Sequence, residues 1–78
     1  MFIQLTTYKS TNRVRVNVNN IAFYRFIKVD TVPAKTEQGF LEVYKTGIYF
    51  SADPIPLVVE EDTIHIDKMI ADLLSSNQ

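Results

Sequence analysis

Arg13-Val14-Arg15-Val16-Asn17-Val18-Asn19-Asn20-Ile21-Ala22-Phe23-Tyr24-Arg25-Phe26-Ile27-Lys28 is the stretch that decides how this chain folds. Its first six residues alternate, with Val14, Val16 and Val18 on one side and Arg13, Arg15 and Asn17 on the other. A period of two is the pattern of a half-buried strand. Asn19-Asn20 suits a bend, because asparagine tolerates left-handed backbone and bonds its own main chain. A second β-rich run, Ile21 to Val29, follows at once, and it is apolar on both faces. Ile21, Phe23, Ile27 and Val29 fall on one side, interrupted by Arg25; Ala22, Tyr24 and Phe26 fall on the other, ending in Lys28. Such a strand is either covered on both sides or has one face in the core and the other at an interface.

Outward from this stretch, Phe2 to Tyr8 is expected to be the preceding strand, with Ile3, Leu5 and Thr7 opposed to Phe2, Gln4, Thr6 and Tyr8. Lys9 to Asn12 has turn composition without a glycine, so the two strands are expected to form an antiparallel hairpin. On the C-terminal side, Asp30 to Gln38 is polar, contains Pro33 and is expected to be a loop. Phe40 to Tyr44 returns to strand pattern. Thr46-Gly47 reads as a turn, with a short strand Ile48 to Phe50 beyond it. Pro54 and Pro56 exclude a central ladder position there, which leaves Leu57 to Glu60 as a last strand, either at an edge or beginning just after the proline.

From Asp62 the period changes. Ile66, Met69, Ile70, Leu73 and Leu74 form one stripe of an amphipathic helix, with Asp62 as N-cap. In a rival parse, Thr63 to Ile66 extends a strand and Asp67 caps the helix. Ser75 to Gln78 is expected to fray. The expected fold is α+β and mostly β: a small antiparallel sheet or SH3-like open barrel of about five strands with one C-terminal helix, in a single domain over residues 1–78.

Seventy-eight residues and 46% apolar content allow one small core, contributing roughly 3–5 kcal/mol. Self-association is a common supplement, since it covers exposed sheet edges. There is no cysteine, which excludes disulfides and thiolate metal sites and fits a reducing compartment. No secretory leader pattern or membrane-length apolar run occurs, so the expected location is the cytoplasm, with no membrane partner. Net charge is −1, against bulk nucleic-acid binding. The distribution is uneven: residues 1–36 carry six basic side chains against Asp30 alone, a net of +5, and residues 37–78 carry two against eight acids, a net of −6. Opposed halves suit either cross-strand pairing or head-to-tail docking on another copy.

The start Phe2-Ile-Gln-Leu-Thr6, the segment Val16-Asn-Val-Asn-Asn-Ile21, and Leu57-Val-Val-Glu-Glu61 leading into the Ile66…Met69-Ile70 helix together resemble the FlbD-like group of small bacterial and phage proteins. The resemblance spans most of the chain and departs at 30–38 and at Ser51 to Pro56. It implies a small β-sheet or barrel with one helix, and it carries over no active-site residues.

Catalytic chemistry has little to stand on. His65 is the only histidine, so one chain builds no two-histidine metal site, and a serine nucleophile would have no other base. Glu60-Glu61-Asp62 fits helix capping and solubility better than cation binding. Gly39 and Gly47 are the only glycines, too few for a phosphate-cradling loop. No catalytic residue, cofactor or metal is expected. The remaining signal is basic and aromatic: Tyr8, Arg13, Arg15, Tyr24, Arg25, Phe26 and Lys28 form the expected interaction face. The first expectation is a non-catalytic, self-associating accessory protein that forms a homo-oligomer or binds a protein partner. The alternative is a small β-barrel that binds nucleic acid or nucleotides through an Arg/Tyr face.

Overall fold

A computed structural model describes residues 1–35 and 39–76. Strand β1 (Phe2–Thr6) pairs antiparallel with β2 (Arg13–Asn17), with Ile3 opposite Val16 and Leu5 opposite Val14. A three-residue 3-10 turn (Val18–Asn20) follows, opened by the Asn17 side chain, which accepts from the Asn19 N–H at 3.0 Å. Strand β3 (Ile21–Pro33) then pairs with β4 (Phe40–Phe50), and β4 with β5 (Asp53–Val59). Helix α1 (Thr63–Ser76) closes the chain. No helix is long and apolar enough to cross a membrane among the described residues.

The two sheets join where β1 meets the end of β5. Thr7 bridges Val59, the Tyr8 N–H donates to the Val58 carbonyl at 2.9 Å, and the Glu60 N–H donates to the Thr6 carbonyl at 2.8 Å. The spatial order is therefore β2-β1-β5-β4-β3. Ile3, Leu5, Val16, Ile48, Val59 and Ile66 are buried on its inner side, with Met69, Ile70 and Leu73 of the helix packed against them. This is the expected mostly-β fold with one C-terminal helix. The helix begins where Asp62 caps it, since the Asp62 carboxylate accepts from the His65 N–H at 2.7 Å. Ile64, which favours the rival parse, is exposed.

Three expectations need correction. Thr46-Gly47 is not a turn: both residues are buried inside one continuous β4 that runs on through Ile48 to Phe50. Glycine stands there because β3 and β5 press on the strand. A Cβ at Gly47 would lie 2.7 Å from Ile27 Cδ1 and 3.4 Å from Pro56 Cβ, a close approach rather than a reversal. The loop expected at 30–38 is shorter, because Asp30 to Pro33 continue β3 against Phe40 to Val43; residues 36–38 lie outside the described set. Strand β5 starts at Asp53 and includes both prolines. The Val58 carbonyl points toward β1, so the period of two turns the Pro56 nitrogen to that side and away from β4. Pro54 falls in the irregular stretch between the Ile48–Leu57 and Phe50–Asp53 pairs, outside the regular ladder. Of the residues expected to fray, Ser75 and Ser76 belong to α1, and 77–78 lie outside the described set.

Register slips between Ile21 and Phe23 and between Lys28 and Asp30 alter the faces of β3. Ile21 joins Tyr24 on the core side, while Phe23, Arg25 and Ile27 face outward. The β1–β2 turn takes positive φ at Lys9 (72°) and Thr11 (55°), which is unusual for a β-branched residue. Thr7 holds it: its N–H donates to the Asn12 carbonyl at 2.8 Å, and its carbonyl accepts from the Thr11 N–H at 3.1 Å.

Candidate functional site

The β3–β4 hairpin is longer than anything that supports it. β5 pairs only with Thr46 to Phe50 of β4, so outward from the Phe26–Thr46 pair, which is its base, β3 as far as Pro33 and β4 back to Phe40 project as a two-stranded arm. Eight residues of strand span about 26 Å, and the molecule is 53 Å long against 25 and 20 Å across. An isolated two-stranded hairpin is marginal in water.

The arm has two unlike faces. On its outer face Ile27, Val32 and Val43 are half-buried and Leu41 is 56% exposed, and the β1–β2 turn reaches this face through Lys9, whose ammonium lies 3.7 Å from the Asp30 carboxylate. Its inner face continues the side of the sheet that carries the core. Ile48 and Thr46 are fully buried there; the next residue on the same side, Tyr44, is 53% exposed. Across the strand, half-buried Tyr24 gives way to Phe26, also 53% exposed, and farther out Phe40 is 73% exposed. Lys28 and Glu42 lie on this face as well, both exposed, with the Tyr44 hydroxyl donating to Glu42 at 2.7 Å. That bond, with the negative charge of Glu42, raises the Tyr44 pKa. Thr46, at the inner end of the arm, has a buried hydroxyl without a hydrogen-bond partner among the described residues.

The seven residues expected to form one face are spread over several. Arg13 and Arg15 lie outside the β1–β2 sheet, opposite Thr6 and Gln4, and the Arg15 guanidinium sits 4.9 Å from the Phe2 ring centre. Tyr8 lies elsewhere, with the ammonium groups of Lys9 and Lys45 at 5.6 and 5.7 Å from its ring. Arg25 is on the outer face of the three-stranded sheet, 5.7 Å from the Tyr49 ring, which stacks on Phe23 at 4.5 Å. Phe26 and Lys28 share the inner face of the arm. Phe40, Glu42 and Tyr44 complete that face and were not among the expected residues. Their alternation marked a strand, but only the register against β3 brings them beside Phe26 and Lys28.

Tyr24 serves the fold. It packs against the core, and its hydroxyl donates to the Asp67 carboxylate, tying β3 to the helix. Burial first, then that hydrogen bond and the charge of Asp67, raise its pKa from 10.0 to about 12. A pKa raised on folding means that the native state holds the proton more tightly. The contribution is complete below pH 10.0 and is lost as pH rises toward about 12. In a phenolate absorbance titration, Tyr24→Phe is expected to remove one late-ionising tyrosine. Curves that superimpose after scaling to the three remaining tyrosines would refute the Asp67 contact.

No family model, curated protein or solved structure matches the chain. Among the described residues, no group of three or more histidine or acidic side chains gathers in a metal-holding arrangement. What the surface can do rests on its own geometry.

Proposed function

We propose that this chain is a non-catalytic, cytoplasmic accessory protein that works as a homo-oligomer, in keeping with its resemblance to the FlbD-like proteins of bacteria and phages. The observation that carries this reading is the inner face of the arm. Phe26, Phe40 and Tyr44, each more than half exposed, continue the core side of the sheet beyond the core itself. Apolar residues left on a ribbon that is marginal by itself call for a covering surface. The fold, a small β array with one helix, is also the one that the resemblance implies. Light scattering coupled to size exclusion tests the reading. A discrete mass of two or more chains is expected, and a monomer up to high micromolar concentration would count decisively against it.

A second reading has its own support in the outward-facing patch of Arg25, Tyr49 and Phe23. A cation beside outward-facing aromatic rings, here exposed Phe23 and half-buried Tyr49, is a platform for single-stranded nucleic acid. This reading predicts oligonucleotide affinity that falls with salt and with Arg25→Ala. Absence of binding at low salt would eliminate it.

A further inference from the structure

We propose that two copies of this chain meet through the inner faces of their arms, around a two-fold axis that sets Lys28 of each copy against Glu42 of the other. The proposal rests on the self-association reading and deepens it by naming the surface and its geometry. Three features of the arm argue for a second copy as the occupant.

The first is charge. Lys28 and Glu42 are exposed on one face, on neighbouring strands, and Lys28 has no ion-pair partner among the described residues. A face that carries one cation and one anion amid aromatic rings is complementary to itself, as an isologous contact requires. The second is area. Aromatic side chains have about 150–250 Å² each to bury, so three of them more than half exposed, with Lys28, Glu42 and the neighbouring Thr31 and Pro33, offer about 700 Å² per copy, near the roughly 800 Å² per partner of a stable interface. The third is direction. Each copy's helix and β1–β2 hairpin occupy the inner face at the other end of the same strands, so two arms can lie face to face only if they run in opposite directions. That arrangement carries the outer end of each arm, with Phe40, toward Phe26 and Tyr44 of the other copy, where the core side of the sheet is left open. It also places the rows that hold Lys28 and Glu42 opposite one another twice, once on each side of the axis.

Charge reversal in the full chain tests this directly, with mass followed against concentration by light scattering and analytical ultracentrifugation. Lys28→Glu and Glu42→Lys, made singly, set like charges across both halves of the contact, and each is expected to weaken the dimer about tenfold or more. The double variant K28E/E42K restores opposite charges and is expected to return affinity to within about threefold of the original. Both positions are exposed, and circular dichroism verifies that each variant folds. Lys28→Glu removes neither partner of the Tyr44–Glu42 hydrogen bond, so its effect is not the deletion of an intramolecular bond. If the parent protein is oligomeric and all three variants match it, the arm assignment falls while self-association stands. If the parent is monomeric, both fall. A mass that climbs without limit overturns the closed dimer and points to head-to-tail chains, for which the groove lined by Phe2, Met69, Asp72 and Leu73 is the available acceptor. Weakened single variants that the double does not rescue also overturn the Lys28–Glu42 pairing.

Discussion

Ile66→Ala is expected to leave the chain largely unfolded at room temperature. Ile66 is the one residue of α1 that is fully buried, and it meets a core of only five other buried apolar side chains among the described residues. Truncating a buried isoleucine costs about 2–5 kcal/mol, through lost transfer energy and the cavity left behind. A core of this size supplies about 3–5 kcal/mol in all, so the substitution removes most of the margin. The helix would then have nothing to fix it to the sheet except half-buried Met69, Ile70 and Leu73 and the Tyr24–Asp67 contact. Far-ultraviolet circular dichroism with urea titration is the measurement. A cooperative transition with a midpoint close to that of the parent would show that the helix is not the floor of the core.

Glu61→Ala is expected to cost about 2–3 kcal/mol, because hydrogen bonds to a charged acceptor are the strong ones. The Glu61 carboxylate receives the Thr6 N–H at 2.9 and 3.1 Å and the Thr6 hydroxyl at 3.0 Å, across 55 positions of sequence. It thereby clasps the end of β1 to the segment between β5 and α1. Alanine leaves the Thr6 N–H without its acceptor in a half-buried site, whereas glutamine keeps an acceptor and loses the charge. The expected order of stability is therefore parent, then Glu61→Gln, then Glu61→Ala, read from urea midpoints. Equal midpoints for all three would mean that solvent replaces the clasp at no cost.

Much of this fold could be read from residue patterns, where the pattern depended on one element and one core. Ile3, Leu5, Val14 and Val16 alternate because each strand has a single buried side, and their inward placement follows. The stripe Ile66, Met69, Ile70, Leu73 works for the same reason. Gly47 could not be understood alone, since its need for a bare Cα arises from Ile27 on one neighbouring strand and Pro56 on the other. Asp30 to Pro33 read as loop because the register slip between Lys28 and Asp30 breaks the alternation there and a proline follows three residues later. The candidate site divides along the same line. Phe26 and Lys28 were visible as an apolar and basic surplus on β3. Phe40, Glu42 and Tyr44 join them through pairing across a connection whose length in space the residues between do not encode. The extra residue between Ile21 and Phe23 brings Ile21 to the side of Tyr24; Tyr24 keeps the side it shares with Phe26 and Lys28, but there that side is core, and its hydroxyl is engaged by Asp67.

The joint between β1 and β5 bears on how the protein comes to be folded during synthesis. Each hairpin pairs near neighbours in sequence and can begin to form as soon as it leaves the ribosome. The valines and leucine of the first hairpin, however, face Val59 and Ile66, which are made some fifty residues later. Until then the first hairpin has only Ile48 and its half-buried neighbours Ile21 and Tyr24 as core partners, and most of its apolar side lacks cover. Completion of the core therefore waits for residues 57–73, which supply Val59, Ile66 and the helix side chains packed on them.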